Sequence, residues 1–175
     1  MVKLVKLENK KICYIDLDGV LFDFIKKLYE LFPHIQYLTG KEEEEQIDIC
    51  CESEKGQRIF LDLELMPDAI WAYKNLNKNY IVYILSTAMW HVPYSFMDKR
   101  ISIEKHFKDE IYKKLNLSHN KGLFRGDYLI DDRIKNGVET FQGEHIHFGK
   151  GITKNWIETI KYLSEKDNWK IEYYA

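Results

Sequence analysis

Carboxylate and hydroxyl side chains stand directly after the most apolar runs of this 175-residue chain. An acidic pair follows the first run, a Ser-Thr pair follows the second, and another acidic pair follows the third. A lysine precedes the third run by a short loop. These residues are Asp16, Asp18, Ser86, Thr87, Lys121, Asp131 and Asp132. Chance often places one acid at the end of an apolar run, but it rarely provides this combination, so the pattern indicates a polar site assembled from separate segments.

Converging carboxylates need a cation. When they lie within about 4–6 Å of one another, each close pair repels by roughly 4 kcal/mol at an effective dielectric constant of 20. All-oxygen ligands favour Mg²⁺ over Zn²⁺, and Mg²⁺ normally shares its ligands between carboxylates, waters and a substrate phosphate. A lysine and two hydroxyls suit phosphate oxygens, and a carboxylate can itself accept a phosphoryl group. The set therefore predicts Mg²⁺-assisted phosphoryl transfer.

Alternating strands and helices would position these residues. Short apolar runs predict buried strands at 11–16, 80–85, 128–130 and 145–148. Helical spacing of apolar residues predicts helices over 20–32, 67–79 and 98–115, and a last one capped by Thr153 and extending to about 165. This order predicts an α/β fold with a Rossmann-like, mainly parallel sheet flanked by helices. Ligands of such sheets bind beyond the carboxyl ends of the strands.

Composition excludes several classes of protein. The net charge is −2, which argues against a nucleic acid polymer or an anionic membrane as partner. No apolar run reaches the 18 or so residues of a membrane helix. Three cysteines without framework spacing favour a reduced, cytoplasmic chain. His145 and His147 share one face of a strand, but the sequence offers them no third metal ligand.

The motifs resemble those of the haloacid dehalogenase-like hydrolases. Asp16-Leu17-Asp18-Gly19-Val20 is similar to their first motif, Ser86-Thr87 to the second, Lys121 to the third and Asp131-Asp132 to the fourth. The stretches DLDGVLFDF, LSTAMW, DKRISIEKHF, HNKGLFRGDYLIDDR and GEHIHFG look like the 5′(3′)-deoxyribonucleotidase branch of that superfamily. The resemblance covers most of the chain apart from its first ten residues, about 34–58, and the tail.

The resemblance implies a role for each matching residue. Asp16 would attack phosphorus and form an aspartyl-phosphate, and Asp18 would protonate the leaving oxygen and then activate water. Mg²⁺ would be held by Asp16, by the backbone carbonyl of Asp18 and by Asp131, with Asp132 beside them. The phosphate would be bound by Ser86, Thr87, Lys99 and Lys121. Phe24 would face the base or sugar, with Phe60 as a weaker candidate for the same pocket.

The resemblance also implies a small helical cap inserted after the first strand and helix. The predicted core comprises residues 1–28 and 67–175, and the predicted cap is 29–66. The acidic run 42–45 reads as a solvated helix face, and Trp90-His91, just past the second motif, is a candidate substrate contact. The expected substrate is a deoxyribonucleoside 5′(3′)-monophosphate. The alternatives are another small phosphate ester or a receiver-like phospho-acceptor without turnover, and the oligomeric state stays open, with a homodimer as one option.

Overall fold

A single parallel sheet organises the chain in the computed structural model, which describes residues 10–173. Its strands run in the order β3-β2-β1-β4-β5, and every neighbouring pair is parallel. They are β1 (Ile12–Ile15), β2 (Ile81–Ser86), β3 (Leu115–Leu117), β4 (Tyr128–Asp131) and β5 (Glu144–His147). The predicted α/β fold with a Rossmann-like parallel sheet is therefore confirmed.

Within the described part of the chain, five α-helices accompany the strands: α1 (Phe24–Leu31), α2 (Gly40–Glu52), α3 (Ala69–Asn79), α4 (Tyr94–Phe107) and α5 (Trp156–Asp167). Short 3-10 turns lie at Pro33–Tyr37, Ile59–Asp62, Lys108–Ile111, Lys121–Leu123 and Val138–Thr140. The carboxylate of Asp23 caps α1 by accepting a hydrogen bond from the Lys26 N–H, 3.0 Å away. Because parallel strands are covered on both faces, β1 and β4 are almost entirely buried.

Two predicted helix boundaries are wrong for local reasons. The helix predicted over 20–32 begins only at Phe24, because the Phe22 N–H bonds the Leu17 carbonyl in a turn. The helix predicted from Thr153 is capped instead by Asn155, whose side chain accepts from the Glu158 N–H. Thr153 donates its hydroxyl to the His147 carbonyl, 2.8 Å away.

The helix predicted over 98–115 is wrong at both ends. It starts at Tyr94 and stops at Phe107, because Lys108 adopts a positive φ of 50° that ends the helical path. Leu115, the last residue of the predicted helix, instead begins β3 and pairs with Ile84 of β2. The segment Leu-Asn-Leu is too short to show a strand periodicity, so only the pairing reveals it.

Within residues 10–173, no helix combines the length and the apolar character needed to cross a lipid bilayer.

Candidate active site

Three neighbouring strands bring the acidic and hydroxyl residues to one edge of the sheet. Asp16 directly follows β1, while Ser86 ends β2 and Asp131 ends β4. Since β1 lies between the other two strands and all three are parallel, their carboxyl ends meet. Asp16, Asp131 and Asp132 each offer a carboxylate oxygen, and these oxygens lie within 4.8 Å of one another. The convergence expected from the sequence is present.

Gly19 allows the loop after β1 to approach the Asp131-Asp132 pair. Its φ is +76°, a conformation that side chains disfavour. A Cβ at this position would overlap the Asp132 carboxylate, with its Cγ only 2.8 Å away. Glycine is therefore needed at position 19, where the loop after β1 touches the Asp131-Asp132 pair.

Lys121 compensates part of the negative charge. It is 2% exposed, and its Nζ lies 3.0 Å from Asp16 Oδ2 and pairs with Asp131 Oδ2. Burial acts to lower the pKa of Lys121, but the charges of Asp16 and Asp131 outweigh burial and raise that pKa above its ordinary value. The side chain is therefore a fixed cation between the two acids.

Lys99 supplies a second buried cation from α4. Its Nζ pairs with Asp18 Oδ2 and lies 3.3 Å from the Ser86 hydroxyl. The structure thus brings Lys99, Asp18 and Ser86 together although they come from three separate segments. Thr87 also lines the cavity, but its hydroxyl donates to the Ser118 carbonyl at 2.8 Å. In this structure that hydroxyl is engaged in holding the loop.

The acidic cluster has unused coordination capacity. Among the described residues, three buried carboxylate oxygens accept no hydrogen bond: Oδ1 of Asp16, of Asp18 and of Asp132. Burial, with the charge of Asp16, raises the pKa of Asp131 to about 6 and that of Asp132 to about 7. Buried oxygens without donors, beside acids whose pKa values are raised by burial and by a neighbouring negative charge, suit a hard divalent cation.

His145 and His147 support the acidic pair from β5. The Nε2 atom of His145 lies 3.1 Å from the Asp131 carbonyl, and that of His147 lies 2.9 Å from the Asp132 carbonyl. The two rings stack with centroids 5.2 Å apart. Their shared face therefore serves to hold the backbone of the acidic segment.

Phe24 and Phe60 lie together at the wall of the site. Their rings stack at 5.4 Å with an interplanar angle of 9°, and the side chains are 4% and 2% exposed. Lys99 Nζ lies over the Phe60 ring at 4.6 Å. The two aromatic residues thus line the cavity while being packed mainly against each other.

A cavity of about 760 Å³ lies above the acids. Its far wall is α2, which contributes Glu43, Glu44, Ile47, Asp48 and Glu52. The run 42–45, predicted as a solvated face, therefore also faces the site through Glu43 and Glu44. Glu44 pairs with Lys135 at 2.5 Å, which connects α2 to the loop after β4.

Sequence reasoning missed an ion pair beside the site, in which a buried carboxylate meets a half-exposed guanidinium. Asp98 is fully buried and accepts two hydrogen bonds from Arg58, at 2.8 and 2.9 Å. The Arg58 guanidinium also lies 4.6 Å from the centre of the Tyr94 ring. The partners are forty positions apart, and no motif or periodicity connects them.

Comparison with known proteins finds a matching family model and similar relatives. Residues 10–171 match the family model described as "5' nucleotidase, deoxy (Pyrimidine), cytosolic type C protein". A protein of Vibrio phage KVP40, provisionally named 5'(3')-deoxyribonucleotidase, is 42% identical over 164 residues, covering 93% of this chain and 89% of that protein. The human cytosolic-type 5'(3')-deoxyribonucleotidase is 27% identical over 180 residues, covering 89% of this chain and 90% of that protein.

Solved structures agree on the fold. The Bacillus subtilis protein YfnB, provisionally named a HAD-hydrolase and solved with magnesium bound, superimposes with a TM-score of 0.54 at 13% identity, covering 91% of this chain and 99% of that one. A HAD-superfamily hydrolase of subfamily IA from Geobacter sulfurreducens gives a TM-score of 0.53 at 11% identity, covering 88% and 96%. At these identities the likeness establishes the haloacid dehalogenase-like fold and nothing further.

Proposed function

The chain belongs to the 5' nucleotidase, deoxy (pyrimidine), cytosolic type C family, and from that membership we propose that it is a phosphomonoesterase acting on deoxyribonucleoside 5′(3′)-monophosphates. The observation that carries the proposal is the cluster of the buried Asp16 and Asp131 with the half-buried Asp132, beside two buried lysines. Acids, lysines and a hydroxyl at one sheet edge suit a dianionic phosphate ester and a divalent cation.

Asp16 is the proposed nucleophile. One of its carboxylate oxygens forms a bond to phosphorus while the ester P–O bond breaks, and the electron pair of that bond passes to the leaving sugar oxygen. Asp18 gives its proton to that oxygen. Asp18 then takes a proton from water, which attacks phosphorus and releases Asp16 and inorganic phosphate. Lys121 beside Asp16 and Lys99 beside Asp18 support these positions, since each holds one carboxylate oxygen.

The proposed cation is Mg²⁺, held by Asp16, by the backbone carbonyl of Asp18 and by Asp131, with Asp132 next to them. The bare buried oxygens of Asp16 and Asp132 support its presence. When bound, the ion would supply charge stabilisation for the transferring phosphoryl oxygens. Ser86, Thr87, Lys99 and Lys121 are the proposed phosphate-binding residues, and Phe24 and Phe60 the proposed pocket wall.

The segment 29–66 is the proposed cap over a core formed by 1–28 and 67–175, of which 1–9 and 174–175 lie outside the described residues. A short backbone pairing supports this division, because Phe22 bridges Leu65 in antiparallel fashion and the Asp23 N–H bonds the Glu64 carbonyl at 2.9 Å. The chain thus leaves the core and returns to it at adjacent points. A cap of this kind excludes water during the reaction. The human relative of cytosolic type supports a cytoplasmic location.

Phosphate release from deoxyribonucleoside monophosphates tests the proposal. We expect the wild type to release phosphate over many turnovers with Mg²⁺, and to lose this activity when EDTA removes the metal. Asp16→Asn should abolish turnover while the circular dichroism spectrum stays unchanged. The control is Asp109→Asn, which changes an exposed acid away from the cavity.

Other results would contradict specific parts of the proposal. Full activity of Asp16→Asn would rule out its role as nucleophile. A single stoichiometric phosphorylation without turnover would instead indicate a receiver-like phospho-acceptor. Faster hydrolysis of sugar phosphates than of nucleotides, across a panel of monophosphates, would indicate a phosphatase for another small ester.

A further inference from the structure

Trp90 is an exposed aromatic side chain at the wall of the cavity. It lies four positions after Ser86, in the loop between β2 and α4, and it lines the same cavity as Asp16 and Lys121. Its side chain is 72% exposed. A large apolar surface left open next to a polar site is an informative exception to burial. We propose that Trp90 is the platform on which the nucleobase of the substrate stacks, an inference that rests on the proposed function.

Phe24 and Phe60 were expected to face the base, but their packing leaves no room for a base to stack on them. Phe24 and Phe60 are stacked on each other at 5.4 Å, so no third ring fits between them. The cation of Lys99 also lies over Phe60. Because both side chains are almost completely buried, they can touch a substrate mainly through their edges. Trp90, in contrast, has most of its indole surface free.

The indole is braced by its neighbours. The His119 ring packs edge-on against Trp90 at 5.7 Å with an interplanar angle of 75°. His119 is itself positioned, since its Nε2 donates to the Ala88 carbonyl at 2.9 Å. Its ring also lies 6.2 Å from that of Phe96. A supported platform loses less conformational freedom when a ligand binds, so more of the stacking energy appears as affinity.

Stacking on Trp90 determines what kind of group is recognised. Every nucleobase has a π-face, so an aromatic platform selects for a planar base without choosing among the bases. Phosphate recognition at Ser86 and Lys121 and base recognition at Trp90 would then be carried by different residues. Truncating Trp90 should therefore weaken the binding of nucleotides and leave the binding of phosphate esters without a base unchanged.

The kinetic test compares dTMP with deoxyribose 5-phosphate, which lacks a base. We expect Trp90→Ala to raise KM for dTMP about 5- to 150-fold, the range for loss of one base–aromatic stack, with KM for deoxyribose 5-phosphate unchanged. Trp90→Phe keeps a π-face and should recover most of the affinity. The matched control is Tyr112→Ala, which removes an exposed aromatic side chain outside the cavity.

A binding test separates this inference from the proposed activity. In an Asp16→Asn background, which we expect not to turn over, dTMP should quench tryptophan fluorescence and deoxyribose 5-phosphate should not. The quench should disappear when Trp90→Phe is added. Absence of phosphate release from every nucleotide in the wild type would contradict the proposed function, whereas this titration reports stacking on Trp90 independently of turnover.

Three results would overturn the platform. One is an equal rise of KM for both substrates in Trp90→Ala, which would make Trp90 a support of the phosphate loop. Another is a dTMP quench that persists in Trp90→Phe. The third would be evidence for a contact between two copies of the chain through Trp90 and the exposed residues Tyr94, Met97 and Ile101 of α4. If the molecular mass measured by analytical ultracentrifugation fell in Trp90→Ala, and KM changed equally for both substrates, Trp90 would belong to a contact between two copies of the chain.

Discussion

Charge balance at single residues shapes the candidate site. Asp16, Asp18, Asp131 and Asp132 face the two buried cations Lys99 and Lys121. With these six groups ionised, two negative charges remain, and the half-exposed Arg133, whose Nε lies 4.0 Å from Asp132 Oδ2, offsets part of them. The remaining negative charge suits a divalent cation. Without such a cation, burial and the charge of Asp16 raise the pKa values of Asp131 and Asp132 to about 6 and about 7, so protons supply part of the missing positive charge. Each lysine is therefore part of the same electrostatic unit as the acids.

Replacing Gly19 should separate backbone strain from damage to the site. Gly19→Ala places a Cβ at a φ of +76° and against the Asp132 carboxylate. Gly149→Ala places a Cβ at a similar φ of +81°, but no atom lies within 4 Å of it. We expect each to lose about 1–2 kcal/mol of unfolding free energy from strain, with a further loss of about 1 kcal/mol or more for Gly19→Ala. Only Gly19→Ala should weaken Mg²⁺ binding, by roughly 10-fold or more.

Urea unfolding and isothermal titration calorimetry with Mg²⁺ measure these two effects. Equal losses of stability and unchanged metal affinity in both variants would show that the contact between Gly19 and Asp132 has no influence on the site.

Among the described residues, four ion pairs join the proposed cap to the rest of the structure: Lys26–Glu64, Lys105–Asp62, Arg58–Asp98 and Glu44–Lys135. The last two lie beside the candidate site. Arg58, in the segment between α2 and the turn Ile59–Asp62, binds Asp98 of α4 through two hydrogen bonds. Glu44 of α2 pairs with Lys135 beyond β4. The Arg58–Asp98 pair is the stronger of these two anchors, because Asp98 is fully buried and the geometry is bidentate. Asp98 directly precedes Lys99, so this anchor also bears on a proposed phosphate-binding residue.

Removing the Arg58 side chain should therefore destabilise the protein. Arg58→Met leaves the buried Asp98 carboxylate without its two donors, and we expect a loss of about 1–3 kcal/mol, the range for a buried polar group left unsatisfied. The control Arg100→Met breaks an exposed pair with Glu104 and should cost about 0.5 kcal/mol or less. Urea unfolding monitored by circular dichroism measures both. Similar losses in the two variants would contradict the anchoring role.

The whole molecule uses the two ends of its sheet differently. The carboxyl ends carry the candidate site, and the amino ends carry a polar cluster around Asp167, at the end of α5. Asp167 accepts hydrogen bonds from Lys11, Tyr80 and Tyr128, which lie just before or at the start of β1, β2 and β4. Asp167 thereby connects three strands and a helix at the edge opposite the site.

This cluster should contribute stability that depends on pH. Burial acts to raise the pKa of Asp167, but the hydrogen bonds from Lys11, Tyr80 and Tyr128 outweigh burial and lower the pKa below the ordinary value of 3.8. The folded state therefore binds this proton less readily than the unfolded state, so the contribution is fully present above the ordinary pKa and is lost as pH falls through the lowered one. We expect Asp167→Asn to reduce the unfolding free energy by about 1–3 kcal/mol at pH 7.

Unfolding free energies at pH 7 and pH 3 check this expectation. The difference between wild type and Asp167→Asn should shrink at pH 3, while Asp109→Asn should match the wild type at both values. A difference that stays constant between the two pH values would show that the charge of Asp167 does not matter.

The amino-acid sequence by itself determined the fold class and the members of the acidic site. Short apolar runs rich in β-branched and aromatic residues, such as 80–85, are typical of strands covered on both sides, and parallel strands bring the residues that follow them to one edge. The residues Asp16, Ser86 and Asp131 were therefore predictable as neighbours. Local chemistry and topology alone lead to that result, without knowledge of any side-chain contact.

Only the tertiary structure decided which side chains pair across that edge. The pairing of Lys99 with Asp18, the anchoring of Asp98 by Arg58 and the stacking of Phe24 on Phe60 depend on segments far apart in the chain. The short edge strand β3 is likewise defined by its pairing with β2. Contacts between distant segments leave no periodic trace in the sequence, because their geometry is set by the packing of whole elements.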